Sequence, residues 1–230
     1  MKVLFVNPPN IRSDTSTVEN GFAVKAFIVP PFLGKFKLAQ MLFRRLNKIT
    51  GLGNSVRYGV RAGSRWPFTM DQPLSDYAPY PFFMGYAASN LRQHGFDVNI
   101  LDAVAEMEYD YANFLQKIKL EESDIVVIEC STPTIDIDVW FANKIADFSK
   151  VALAGPHLNQ TTVEEIKADN PKITFYLIGE YILSSLKMAK SKKSGVYESE
   201  VLKDIDSVPT PFRDYKSAIK YFDPSMPTPK

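Results

Sequence analysis

A doubly wound α/β domain built on a five-stranded parallel sheet is the fold class this sequence predicts, and three observations predict it. Residues 2–6, 98–101, 125–128, 151–153 and 175–178 are short, largely apolar runs, each closed by a polar or Gly/Pro turn. The runs are continuous rather than alternating, as expected of strands buried on both faces. Between them, residues 84–94, 111–120, 137–148 and 163–168 carry apolar side chains at helical spacing. Strand and helix in alternation imply crossover connections and a parallel sheet covered by helices on both sides. The expected strand order is the flavodoxin-like (Rossmann-like) 2-1-3-4-5.

The first strand, residues 2–6, turns polar at Asn7-Pro8-Pro9, too early for a signal peptide. About seventy residues then separate it from the first crossover helix, far beyond the usual loop. This insertion, residues 10–79, is the main interruption of the pattern. From Asn20 to Met70 it has no Asp or Glu but nine basic residues: Lys25, Lys35, Lys37, Arg44, Arg45, Lys48, Arg57, Arg61 and Arg65. Residues 35–49 read as an amphipathic helix, with Phe36, Leu38, Met41, Leu42, Leu46 and Ile49 apolar among the basic positions. Gly95 follows the helix at 84–94, where a left-handed C-terminal cap is expected. The α/β domain is expected over residues 1–190. Residues 191–230, polar and rich in proline, are expected to form a linker or extension.

Composition narrows the classes further. With 230 residues and 45% hydrophobic content, the chain can bury one sizeable core. The formal net charge of +1 favours neither nucleic acid nor an acidic partner by itself. The single cysteine, Cys130, rules out a disulfide framework, suits a reducing cytoplasmic setting, and is too few for a protein-held iron–sulfur cluster within this chain. No apolar run reaches the roughly 18 residues of a membrane-spanning helix.

In an open parallel sheet, ligands bind beyond the carboxyl ends of the strands, near the reversal of strand order. Four such ends carry candidate binding residues: Asn7, Pro8 and Pro9; Glu129, Ser131, Thr132, Pro133 and Thr134; Gly155, Pro156 and His157; and Gly179 with Glu180. Small residues there admit a large flat ligand, and hydroxyls supply hydrogen bonds. Ser131 and Thr132 are the leading polar contacts. Glu129 needs either a ligand or a structural partner at the end of a core strand. Asp102 reads as a turn residue, His157 as a hydrogen-bonding loop residue and Cys130 as a small core side chain, so no metal ligand and no catalytic residue is assigned.

The ordered loops resemble a known family. Asn7-Pro8-Pro9, then Pro-Phe-Phe-Met-Gly-Tyr-Ala-Ala-Ser-Asn-Leu-Arg-Gln-His-Gly-Phe-Asp-Val-Asn-Ile-Leu-Asp-Ala at 81–103, look like the cobalamin-binding domain preceding the barrel of class B radical S-adenosylmethionine enzymes. Ser131-Thr132-Pro133-Thr134 with Asp136, and then Ala154-Gly155-Pro156-His157, match further landmarks in order. Gly179-Glu180 resembles the start of the family's Gly-Glu-Gly-Glu turn, from which Tyr181-Ile182 depart. Residues 207–215 resemble the linker that normally leads to the radical domain. The resemblance covers residues 1–9 and 80–215.

That likeness implies a cobalamin cofactor and a radical S-adenosylmethionine protein or domain as partner. The barrel's Cys-x3-Cys-x2-Cys motif is absent, so the chain alone is not a complete radical enzyme. The open readings are a separately encoded half of a split enzyme, a truncated enzyme, or a carrier or sensor. The family of methionine-synthase-like domains places an axial histidine in Asp-x-His-x-x-Gly after the first strand; here Asn7-Pro8-Pro9-Asn10-Ile11-Arg12 has none. Cobalamin is therefore expected without a protein histidine as its lower axial ligand. The basic insertion, residues 20–70, is a docking surface in this reading, favoured over a membrane surface and over nucleic acid. The alternative is a doubly wound domain that binds a nucleotide or flavin as a sensor or small enzyme. It lacks Gly-x-Gly-x-x-Gly after the first strand, a phosphoacceptor Asp after the third, and a nucleophile elbow.

Overall fold

The computed structural model describes residues 1–9, 80–103, 111–132 and 134–213, together with Ala105, Glu106, Glu108 and Tyr221. It also describes Leu38 and Leu42 and the backbones of Ile11–Ser13 and Val56–Tyr58. Strand β1 (Lys2–Asn7) is followed by two three-residue strands, β2 (Ile11–Ser13) and β3 (Val56–Tyr58). Then come α1 (Phe82–Gln93), β4 (Asp97–Asp102), α2 (Tyr111–Leu120), β5 (Ile125–Glu129), α3 (Ile135–Ile145) and β6 (Lys150–Ala154). The chain continues through α4 (Gln160–Asp169), β7 (Phe175–Ile178), α5 (Tyr181–Ser191), β8 (Gly195–Glu198) and a 3-10 turn at Ile205–Ser207.

The main sheet has six strands in the order β4-β1-β5-β6-β7-β8, and every pairing in it is parallel. Its first five strands follow the expected 2-1-3-4-5 order; the sixth, β8, corrects the expected count. This strand lies within residues 191–230, where an extension was expected. It is short, and its side chains alternate between half-buried and exposed, so it lacks the continuous apolar run that marks its neighbours. Within the stretch read as an insertion, β2 and β3 pair antiparallel, Arg12 opposite Arg57. The amphipathic pattern at 35–49 lies outside the described residues except for Leu38 and Leu42, both helical and exposed.

Strand alternation divides the core into two layers. Val3 and Phe5 face one side, with Val127, Ala152, Ala154, Phe175 and Leu177, and meet Met84, Ala87, Ala88 and Leu91 of α1 and Met188 and Ala189 of α5. Alanines on strands and helices thin this layer, and the Asn90 side-chain amide of α1 donates to the Ile182 carbonyl of α5 at 3.0 Å. Leu4 and Val6 face the opposite side, with Ile128 and Leu153, and meet Phe114 of α2, Phe141 of α3 and Val163 of α4. The sheet is thus covered on both faces.

Local chemistry fixes the helix ends. Asn159 accepts from the Thr162 amide at 3.0 Å while its own amide donates to Thr162 Oγ1 at 2.9 Å, a reciprocal cap at the start of α4. Past α1, Gly95 takes the positive φ of 81° and its amide donates to the Arg92 carbonyl, as its position after the helix requires. Among the described residues, no helix is long and apolar enough to cross a membrane.

Phe141 is fully buried between Tyr111, Phe114 and Trp140, with ring centroids 4.8, 6.0 and 5.0 Å away. Truncating it removes apolar contact and leaves a cavity that aromatic neighbours fill poorly. Phe141→Ala should lower the unfolding free energy by about 3–5 kcal/mol in urea titration, with an unchanged denaturant slope.

Candidate functional site

The carboxyl ends of β1, β4, β5, β6 and β7 lie side by side, because the parallel register aligns Asn7 with Asp102, Val6 with Ile128 and Glu129 with Ala154. The described candidates from sequence all fall on or just beyond this edge. They divide into a buried floor and an exposed rim.

Asn7, Pro8 and Pro9 are buried. The Asn7 side-chain amide donates to Asp102 Oδ1 at 2.8 Å, tying the ends of β1 and β4. The same oxygen lies 3.4 Å from the Ala105 amide, so Asp102 closes the following turn as expected and also bridges two strands. Glu129 is buried at the end of β5, where its Oε2 accepts the Tyr181 hydroxyl at 2.9 Å. Burial first, and then the neighbouring Glu129, hold the Tyr181 phenol well above the ordinary tyrosine range. A structural hydrogen bond therefore accounts for one oxygen of this carboxylate. The Cys130 side chain is fully enclosed beside it.

Ser131 and Thr134 turn inward. Their hydroxyls lie 2.8 Å apart, and Thr134 Oγ1 donates to Asp138 Oδ2 at 2.7 Å. The Ser131 amide points at the same carboxylate oxygen from 3.4 Å. Asp138 is wholly buried in the first turn of α3, where unpaired amides and the helix dipole favour a negative charge. These hydroxyls thus organise the β5–α3 turn instead of facing solvent. The i, i+4 spacing of Thr134 and Asp138 was a readable sign of this; nothing local marked Tyr181 as the partner of a residue 52 positions away.

The rim is formed by Thr132, Pro156, His157, Gly179 and Glu180, exposed or half-buried. Thr132 Oγ1 and His157 Nδ1 are 3.2 Å apart and link the β5 and β6 loops. Pro133 lies outside the described residues. Gly155 sits beneath the rim with φ 115°, and a Cβ there would meet the Cys130 carbonyl at 2.5 Å and Glu129 Cγ at 3.2 Å. The Cys130 amide also donates to the Ala154 carbonyl at 2.6 Å. A side chain at 155 would force these two strand ends apart. The edge can therefore offer a hydroxyl, an imidazole and a carboxylate over a closed polar floor.

Comparison with known proteins gave no match to any family model, to any curated protein or to any solved structure.

Two expectations follow from this geometry. Gly155→Ala should cost about 1–3 kcal/mol in chemical unfolding, from the positive φ and the contact with Cys130. Tyr181 should make stability fall in alkali. An unfolded tyrosine ionises near about pH 10, whereas in the folded chain the raised pKa keeps the phenol protonated, so from there upward the unfolded state holds fewer protons. Stability then drops by up to about 1.4 kcal/mol per pH unit for this one group. In Tyr181→Phe, unfolding titrations between about pH 10 and 12 should show a shallower slope by that amount. Stability at neutral pH should fall by about 1–3 kcal/mol because Glu129 loses its donor.

Proposed function

We propose that this chain is a cobalamin-binding module that presents the cofactor to a radical S-adenosylmethionine protein or domain supplied in trans, for methyl transfer or related radical chemistry. The observation that carries the reading is the convergence of the loops after β1, β5, β6 and β7 on one carboxyl edge of a six-stranded parallel sheet whose first five strands are ordered 2-1-3-4-5. Those are the loops whose residues resemble the cobalamin-binding family, and such an edge is where open α/β sheets take ligands.

Gly155 lets the ends of β5 and β6 close tightly, and the exposed or half-buried Thr132, His157 and Glu180 of the rim offer polar groups to a ligand. Asn7, Glu129, Ser131 and Thr134 act one layer below, holding the loop backbones in place through Asp102, Tyr181 and Asp138. When bound, cobalamin would supply a cobalt centre able to carry a methyl group. The protein's part is to hold the ring and leave one face open to the partner.

The histidines bear on the lower ligand. His94 ends α1 next to the amino ends of the strands, its Nδ1 2.8 Å from the Asn90 carbonyl oxygen. His157 belongs to the β6 loop, and its Nδ1 is directed at Thr132. Neither takes the position after the first strand that an axial histidine occupies in methionine-synthase-like domains. Docking of the partner on the basic stretch at 20–70 belongs to the same proposal.

Incubated with hydroxocobalamin and desalted, the chain should retain about one equivalent, and Thr132→Leu should retain less. Retention no greater than that of an unrelated protein of this size, or tighter retention of a flavin or nucleotide, refutes the reading. In bound cob(II)alamin with its own base displaced, electron paramagnetic resonance should show no axial nitrogen splitting from protein, with His157→Ala unchanged.

A further inference from the structure

Strand β4 forms one margin of the main sheet, and among the described strands β1 is its one partner. The Asp97 amide donates to the Met1 carbonyl at 3.2 Å, and the Ala103 amide donates to the Asn7 carbonyl at 3.0 Å. Backbone groups alternate in direction along a strand, so Asn99 and Leu101 also face β1. Val98, Ile100 and Asp102 then direct their amides and carbonyls away from the sheet. With Val98, Ile100 and Leu101 apolar, such a margin is a template on which another strand could add.

Two of those outward groups are occupied from within the chain. Asn99 Oδ1 accepts from the Ile100 amide at 2.9 Å, in the place that an incoming carbonyl would take. Its Nδ2 donates to Glu121 Oε1 at 3.2 Å, and the other oxygen of Glu121 pairs with Lys2 Nζ at 2.8 Å. The Asn99 side chain is thereby tied to the residue after α2 and to the start of β1. At the carboxyl end of the strand, the Asp102 carbonyl accepts from the Glu106 amide at 3.0 Å. Asparagine is depleted in strands, yet here it stands among valine, isoleucine and leucine. Its short side chain can reach the neighbouring backbone amide, which an apolar strand residue could not do.

The place of this cap decides what it prevents. Two copies meeting margin to margin about a two-fold axis at Ile100 would exchange both Ile100 amide–carbonyl bonds, a closely spaced antiparallel pair. Val98 of each copy would lie opposite Asp102 of the other, and the two sheets would run on as one. That register sets no like charges opposite one another, so repulsion along the strand gives no defence. We propose that Asn99 is an edge guard: it holds the Ile100 amide closed and keeps copies of this chain from joining through β4. The margin of β4 is an interaction surface for a second copy, kept shut by one side chain. This role is independent of any cofactor, because Asn99, Ile100 and Glu121 belong to none of the candidate loops.

The test compares the full chain with Asn99→Val, which suits a strand but removes the cap, and with Asn99→Asp, which keeps an oxygen able to accept from the Ile100 amide. Sedimentation is followed over a range of protein concentrations, and hydrogen exchange is read at the Val98 amide. At high concentration Asn99→Val should reach about twice the mass of the native chain and return to the native mass on dilution. Its cooperative unfolding should persist, and exchange at Val98 should slow about tenfold or more in the associated form. The native chain and Asn99→Asp should sediment alike at every concentration. Three results overturn the guard: Asn99→Val sedimenting as the native chain does, Asn99→Asp associating as strongly as Asn99→Val, or association without slower exchange at Val98. Irreversible aggregation of Asn99→Val with loss of cooperative unfolding also overturns it, since Asn99 would then serve the fold and not the margin.

Discussion

Strand β1 is paired with β4 on one side and β5 on the other, and its core side chains are excluded from water on both faces. The other features depend on that double enclosure. Because Val3 and Phe5 point one way and Leu4 and Val6 the other, one strand contributes to both core layers. Its parallel register then brings Asn7 level with Asp102, and through β5 sets Glu129 beside Ala154. A shift of one residue would turn the apolar side chains to the wrong layers and dismantle the polar edge at the same time. Core and site are therefore specified by one pairing.

The polar edge is built in two tiers with different duties. Below, Asn7–Asp102, Glu129–Tyr181 and Ser131–Thr134–Asp138 settle the polar groups that the ends of buried strands would otherwise strand in an apolar environment. Above, Thr132, His157 and Glu180 remain near water. A preorganised binding surface would need such rigid supports under an exposed rim, with its floor held before any ligand arrived.

The sequence made the sheet readable where strands are apolar throughout. The run at 175–178 and the helix at 111–120 coincide with β7 and α2, and the remaining boundaries moved by only a few residues at strand and helix ends. Strand β8 escaped because Gly195–Glu198 has half-buried residues alternating with exposed ones beside lysine-rich chain. Helix α5 escaped with it, since Ser184 and Ser185 interrupt its apolar face although both are buried, Ser185 donating to the Ile182 carbonyl at 3.0 Å. For the site, the candidate loops were readable from strand ends, but the direction of each hydroxyl was not. Ser131 and Thr132 are adjacent and chemically similar, yet one joins Asp138 and the other faces His157. That choice is made by the helix start at α3, a tertiary fact that composition does not record.

Strand β8 has a consequence for how the molecule behaves in crowded solution. Any parallel sheet ends in a strand whose outer backbone groups can pair with another chain. On the β8 side that margin is only four residues long, with Val196 and Glu198 exposed along it. Charged residues bracket it: Lys192 and Lys193 before, Glu200 after, the last paired with Lys187. A neighbouring molecule would find few hydrogen bonds to gain and charges to desolvate, which discourages edge-to-edge stacking and the fibrous growth that follows from it.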